Sequence, residues 1–297
     1  MASARSYPEY GLWGRYERAY NWTPEGIDAL LDAGCAWGYG TRFFTAKAKK
    51  VVGLDPNDDA IDVARGRYPH LTFFEGGLEH TDFEPESFDA IVCCDVLEHV
   101  DNDRDCLSEI ARILRPGGVL VVTVPHDGLL SFLDPDNYGS SLLAWAKWRM
   151  PWLYRWYRRR TGRPAPPEQA RPVRGAEVHR HYSLEDLVEL LDRSDFAGGY
   201  EVLRVARTGF LLEALVLNTH YFLKRVLPGR AQSVMARALA PLSALDYRIP
   251  YSRLANNIAV QIVKQARPAG AAAAGYEAEA ASLSTEARKR GPTVRQV

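Results

Sequence analysis

The residues with the strongest chemical signal lie early in the chain. Asp32-Ala-Gly34-Cys35-Ala36-Trp-Gly38-Tyr-Gly40 joins a carboxylate to a run of small residues. Small residues let a backbone approach a ligand closely, and a helix start beyond them offers unpaired N–H groups. The same run also suits a plain tight turn between a strand and a helix. Asp55 follows Gly34 by 21 residues and closes the next apolar run. A carboxylate there can accept both hydroxyls of a ribose, or simply stand before Pro56 as a cap. The dinucleotide spacing G-x-G-x-x-G is not met, because Gly34-x-Ala36-x-x-Tyr39 and Gly38-x-Gly40-x-x-Phe43 both break it. That disfavours a nicotinamide or flavin site.

The elements that must position these groups follow from the hydrophobic pattern. Apolar runs at Ile27–Asp32, Val51–Leu54, Leu71–Phe74, Phe88–Cys94 and Val119–Val124 read as strands. Helix-compatible stretches Thr41–Lys49, Asp58–Arg67 and Asp103–Leu114 separate them, and Arg115-Pro-Gly-Gly118 turns into the fifth strand. Strands alternating with helices predict crossovers and a parallel sheet covered on both faces. After Pro125 the alternation stops. It resumes with a helix at Ser183–Asp192, where Ser183 and Asp186 resemble a capping box, then strands at Tyr200–Ala206 and Ile258–Val263. The Ala/Gly/Glu/Arg-rich stretch 267–297 lacks core residues and is predicted to be disordered.

The chain has 297 residues, 37 Lys plus Arg against 37 Asp plus Glu, and a hydrophobic fraction of 46%. Zero net charge argues against a uniformly basic nucleic-acid binder, and the apolar fraction is ample for a core. Cys35, Cys93, Cys94 and Cys106 form no C-x-x-C pair, so neither a zinc site nor a disulfide framework is expected. The first 20 residues have no apolar h-region, and no run reaches the roughly 18 apolar residues of a membrane span. A cytoplasmic protein is the expectation.

These motifs, in this order, resemble the class I S-adenosylmethionine-dependent methyltransferases. The family's first motif, D/E-x-G-x-G-x-G, is matched by Asp32, Gly34 and Gly38, with Ala36 in place of the middle glycine. Asp55 matches its ribose-binding acidic residue. Phe74-Glu-Gly-Gly-Leu-Glu79, Ser87-Phe-Asp89 and Asp95-Val-Leu-Glu-His-Val100 look like later motifs, and Leu114-Arg-Pro-Gly-Gly118 like the turn beyond them. The resemblance spans about residues 27–125, and His181-Tyr-Ser-Leu-Glu-Asp-Leu extends it. It implies a Rossmann-like seven-stranded sheet, mostly parallel with an antiparallel last strand, and helical lid insertions. It implies S-adenosylmethionine as cofactor, held by Asp32, Gly34, Cys35, Ala36, Gly38, Asp55, Pro56, Gly77, Leu78, Glu79 and Asp95. Gly77 stands where the family usually has an aspartate for the adenine amino group; Glu79 or a backbone carbonyl is the expected substitute, and Leu78 the expected packing partner of the adenine ring.

Methyl transfer is an in-line displacement from a sulfonium, so the enzyme mainly orients donor and acceptor. A base is needed only where the acceptor must lose a proton. Ligands of parallel α/β sheets lie beyond the carboxyl ends of the strands. That places Asp95 over the cofactor and makes His126 and His99 the candidate bases, with His179 and His181 behind them. Bracing of the following helix and ordinary hydrogen bonding are the competing roles. Asp101, Asp103 and Asp105 alternate but lack an EF-hand's glycine and glutamate, so capping is expected and no metal.

The expected organisation is an arm or cap over 1–26, a methyltransferase domain over 27–266 and a tail over 267–297. Lid insertions at about 126–180 and 209–255 should cover the mouth. The first carries Trp145, Trp148, Trp152 and Trp156 with Arg149, Arg155, Arg158, Arg159 and Arg160. Trp beside Arg suits a boundary between apolar and anionic surroundings, so 141–163 either packs as a lid or meets an anionic membrane or lipid-linked acceptor. Leu211, Leu212, Leu215, Val216, Phe222, Leu223 and Val226 give the second insertion a broad apolar face, for core packing, an acceptor pocket or a homodimer contact. The expected reaction is methylation of a small-molecule acceptor, on oxygen, the acceptor being large and partly apolar, glycosylated or lipid-linked. N- or C-methylation, or a non-catalytic protein that keeps the fold for membrane or partner binding, are the alternatives. A nucleic-acid substrate is not expected, since Cys94-Asp-Val-Leu stands where an N-P-P-[YF] motif would.

Overall fold

The computed structural model describes residues 14–128, 180–209 and 244–266, together with the single positions Leu12, Trp152 and Val234. Seven strands form one sheet in the order β3-β2-β1-β4-β5-β7-β6. They are β1 (Ile27–Ala33), β2 (Ala48–Asp55), β3 (Thr72–Glu75), β4 (Phe88–Cys94), β5 (Leu114–Pro125), β6 (Tyr200–Thr208) and β7 (Asn257–Lys264). β1 to β5 pair in parallel, and β7 runs antiparallel to both β5 and β6. The helices are α1 (Gly14–Trp22), α2 (Asp58–Arg67), α3 (Asp103–Ile113) and α4 (Leu184–Arg193).

The unbroken apolar strands are explained by burial on both faces. Successive β1 residues go to opposite sides: Leu31 and Ala33 join one core cluster, with Leu107, Ile110 and Leu187, while Leu30 joins the other, with Phe44 and Ala19. β4 splits the same way, Ile91 and Cys93 against Val92 and Cys94. All four cysteines are buried and unbridged, as small core residues are.

Three helix starts use side-chain caps. Asn57 accepts from the Ala60 N–H to open α2, and Asn102 accepts from Asp105 to open α3. Asp103 and Asp105 then occupy the first turn of α3, where acidic groups favour the helix dipole. At α4 the expected capping box is complete, Ser183 taking the Asp186 N–H and Asp186 the Ser183 N–H.

Three details depart from the sequence expectation. The helix expected over Thr41–Lys49 is a 3-10 turn over Thr41–Ala46, because β2 already begins at Ala48 to pair with Ile27. Arg115-Pro-Gly-Gly118 lies inside β5 as an irregularity, the register jumping from Phe88 opposite Leu114 to Ala90 opposite Val119. Residues 14–22, expected within an arm or cap, are a helix laid on the sheet, with Ala19 fully buried and Tyr16, Tyr20 and Trp22 packed beside it. No helix among the described residues is long and apolar enough to cross a membrane.

Candidate active site

The carboxyl ends of β1, β2 and β4 meet around the glycine turn. The Leu54 carbonyl accepts from both Gly34 N–H (2.8 Å) and Cys35 N–H (3.0 Å), which fastens the turn to the end of β2. Gly34 has φ +79°, and a Cβ there would lie 2.2 Å from Val96 Cγ2. Gly38 has φ +70°, and a Cβ would lie 2.7 Å from the Phe73 ring. At both positions a positive φ and a neighbouring side chain in the Cβ space call for glycine. Cys35 turns its side chain into a small core with Ile61, Ala64, Tyr68 and Phe73, and burial pushes its thiol up, so it stays protonated.

Ala36 sits at φ +45°, a left-handed conformation that costs a residue with a Cβ about 1–2 kcal/mol. Its N–H donates to Asp55 Oδ2 at 2.9 Å, and the Asn57 N–H donates to Asp55 Oδ1 at 2.9 Å. Asp55 is half-buried, beside exposed Pro56, and each carboxylate oxygen has a second lone pair for a diol. Beyond β3, Leu78 is 5% exposed in the main core cluster. A Cβ on Gly77 would fall 2.7 Å from Glu79 Oε2, so the Glu79 carboxylate fills the space a side chain at 77 would need. An acid for a ribose diol, an apolar wall and a second acid at the expected adenine position fit a nucleoside cofactor.

Helix α1 supplies two site residues that the sequence reading did not single out. Tyr16 donates to Asp32 Oδ1 (3.4 Å) while Thr41 Oγ1 donates to Asp32 Oδ2 (2.6 Å). Asp32 is 0% exposed. Burial raises its pKa to about 7, against the two hydrogen bonds, which favour the charged form, and with help from Asp55. Burial first, then Asp32, push the Tyr16 phenol well up, so it remains a donor. Arg15 Nε lies 2.8 Å from Asp95 Oδ2, and its Nη1 donates to Asn257 Oδ1 at 2.8 Å. Asp95 itself is left-handed, φ +57°, a sparsely populated conformation of the kind that gathers at functional sites. The one signal in the sequence was the helical spacing of Tyr16, Ala19 and Tyr20.

His126 follows β5 and is 5% exposed. Its Nδ1 is 3.0 Å from the Tyr182 carbonyl, an acceptor, so Nδ1 carries a hydrogen and the ring is held in one orientation. Its N–H donates to the Asn256 carbonyl, and residues 126 and 182 form a parallel bridge. The Tyr182 hydroxyl reaches the Leu97 carbonyl (2.9 Å) and Asp103 Oδ2 (3.1 Å), tying this segment to α3. His99 is exposed, and its N–H donates to the Val96 carbonyl in the loop before α3. His126 and His99 are thus on different segments of the rim. His181 is half-buried beside Arg180, which pairs with Asp103 at 3.2 Å. His179 lies outside the described residues, as do the insertion residues singled out above, except for exposed Trp152. Stretch 267–297 lies outside them too. No group of three His, Cys, Asp or Glu among the described residues could hold a metal ion.

Comparison with known proteins follows the same region. Residues 31–122 match the family model of the methyltransferase domain. A Mycolicibacterium smegmatis protein described as "Probable S-adenosylmethionine-dependent methyltransferase" is 36% identical over 97 residues, which is 33% of this chain and 38% of that protein. The malonyl-[acyl-carrier protein] O-methyltransferase of Serratia marcescens is 31% identical over 106 residues, 36% of this chain and 42% of that one. The chain thus spans less than half the length of these curated relatives. The crystal structure of the [4+2]-cyclase SpnF superposes with a TM-score of 0.52 at 19% identity, covering 85% of this chain and 81% of that one. At that identity the likeness concerns the fold alone. Residues 31–122, which match the methyltransferase-domain model, run from β1 to β5, the parallel part of the seven-stranded sheet.

Proposed function

We propose that this protein transfers a methyl group from S-adenosylmethionine to an oxygen of a small-molecule acceptor. The observation that carries the reading is the domain match over the stretch that builds the Asp32–Gly38 turn and sets Asp55 against it. Bound S-adenosylmethionine supplies a methyl on a sulfonium, which leaves as a neutral thioether. The chain's own residues then have to hold and orient. Asp55 would accept from the ribose hydroxyls, Leu78 would pack on the adenine, and Glu79, whose carboxylate fills the space beside Gly77, would accept from the adenine amino group. The main chain of Gly34 to Gly38 would lie along the cofactor. At the mouth, Asp95 borders the acceptor, and His126 Nε2 is the atom able to take its proton.

Oxygen as the acceptor atom is supported by the O-methyltransferase among the relatives. The basic, tryptophan-bearing stretch 141–163 supports an acceptor with an anionic or lipid-like part. Calorimetry tests the cofactor claim. Wild type should bind S-adenosylmethionine, and Asp55→Ala should weaken it by about 10- to 100-fold, the loss of charge-assisted hydrogen bonds. Equal affinity in the variant would sink the ribose assignment, and no binding by wild type would sink the reading as a whole.

A further inference from the structure

Helix α1 serves more than the mouth of the sheet. Arg15 and Tyr16 reach Asp95 and Asp32, but Glu17, Arg18, Asn21 and Trp22, at helical spacings of three and four, turn to another cavity. Its opposite wall is Tyr247 and Arg248 of stretch 244–250, and its volume is about 260 Å³. Ordinary ligand pockets begin at about 300 Å³, so this one has room for a small ligand.

The cavity is cationic. The half-buried Arg18 guanidinium donates through Nη2 to the Tyr247 carbonyl and lies over the Trp22 ring, 5.6 Å from its centroid. Both contacts fix the guanidinium without neutralising it, and most of its five N–H donors remain for a ligand. Glu17 is the one acid of the lining against two arginines, and it stands 3.7 Å from Arg248 Nη2. Arg248 is exposed, so that pair is weak and its guanidinium can turn to a ligand. A cation that has given up part of its water without an ion pair gains from an anion beside it.

The donors come from three places: Arg18 and Asn21 on successive turns of α1, and Arg248 on the facing wall. A planar carboxylate matches one guanidinium fork, whereas a phosphate sets its oxygens around one centre and can meet donors on several sides. We propose that the cavity between α1 and stretch 244–250 binds a small phosphate ester, its phosphate between Arg18 and Arg248 with Asn21 donating to it, and its organic part against Trp22. The site is separate from the methyl-transfer mouth and stands whether or not the cofactor reading does. The two are nevertheless joined by contacts. The Tyr247 hydroxyl accepts from Asn257 Nδ2 at 3.0 Å, Asn257 Oδ1 accepts from Arg15 Nη1 at 2.8 Å, and Arg15 Nε lies 2.8 Å from Asp95.

Calorimetry of the full chain with glycerol 3-phosphate tests the site. Sedimentation with phosphatidylcholine vesicles, with and without phosphatidic acid, separates a free ester from a lipid headgroup carrying the same group. Wild type should bind glycerol 3-phosphate at one site with a Kd below about 1 mM in about 0.15 M salt. Arg18→Gln should weaken that binding at least about tenfold, and Arg248→Gln about three- to tenfold, as charge-assisted bonds are lost. Should Arg18→Gln not fold, Arg248→Gln carries the test, since that side chain is exposed. Binding to the phosphatidic acid vesicles alone, lost in the variants, would assign the phosphate to a headgroup and keep the site. No saturable binding of either probe, or binding that the variants leave unchanged, overturns the inference. Binding of glycerol 3-phosphate that S-adenosylmethionine abolishes would place the phosphate in the methyl-transfer mouth and overturn it as well.

Discussion

Burial and hydrogen bonding pull the Asp32 carboxyl in opposite directions, and burial prevails. A carboxyl held at about 7 in the folded protein and near 3.8 when unfolded binds its proton more tightly in the native state. Its contribution to stability is then complete below pH 4 and is lost as pH rises through 7. Asp32→Asn removes that dependence while keeping an oxygen for one of the two hydroxyls, Thr41 or Tyr16. Relative to wild type, the variant should gain stability from pH 5 to pH 8, by up to about 2 kcal/mol. Urea unfolding at the two pH values measures the difference. A gap between variant and wild type that stays constant, or narrows towards pH 8, would show that water or a rearranged Tyr16 solvates the carboxylate.

The glycine turn shows how an element can be read correctly for an incomplete reason. Its position was legible, because Asp32 and the small residues fall between two apolar runs. Val96 and Phe73 as the groups that require Gly34 and Gly38 were not, since they come from a loop after β4 and from β3. Gly34→Ala should destabilise the protein by roughly 3 kcal/mol, combining φ +79° with overlap at Val96. Adding Val96→Ala should return the overlap part, about half, and leave the backbone part. Chemical denaturation of the two variants checks this, and a double variant no more stable than the single one would place the whole cost in the backbone. Elements set by local pattern came out near their expected bounds, as α2, β4 and the capped α4 did. The 3-10 turn did not, because its end is fixed by the pairing of Ala48 with Ile27 on another strand. Arg15 and Tyr16 escaped for the same reason. Their partners, Asp95, Asn257 and Asp32, are 80, 242 and 16 residues away in sequence, and only the path of α1 over the sheet brings them together.

At the scale of the molecule, zero net charge conceals two opposed regions. Residues 55–109 hold 16 acidic and 3 basic side chains, whereas residues 147–180 hold 10 basic and 2 acidic ones. The acidic region includes Asp55, Glu79 and Asp95, which suits a cationic cofactor. The basic stretch begins within an insertion that leaves the sheet at the carboxyl end of β5, the side on which Asp95 and His126 stand. An acceptor that is anionic would be drawn to the same mouth by the opposite sign of charge. If that acceptor is embedded in lipid, the basic stretch itself should hold to an anionic surface. Each Lys or Arg near such a surface contributes about 1 kcal/mol, and salt screens the attraction within about 8 Å. The full chain should then sediment with vesicles of about one-third phosphatidylserine at least tenfold more than with phosphatidylcholine alone, and lose most of that binding in about 0.5 M salt. The triple change Arg158→Gln, Arg159→Gln and Arg160→Gln should cut the binding similarly. Vesicles of either kind left unbound would remove the membrane and leave a soluble anionic acceptor as the reason for the basic stretch. Equal binding to both kinds would assign the contact to the tryptophans instead, because an apolar anchor is indifferent to headgroup charge.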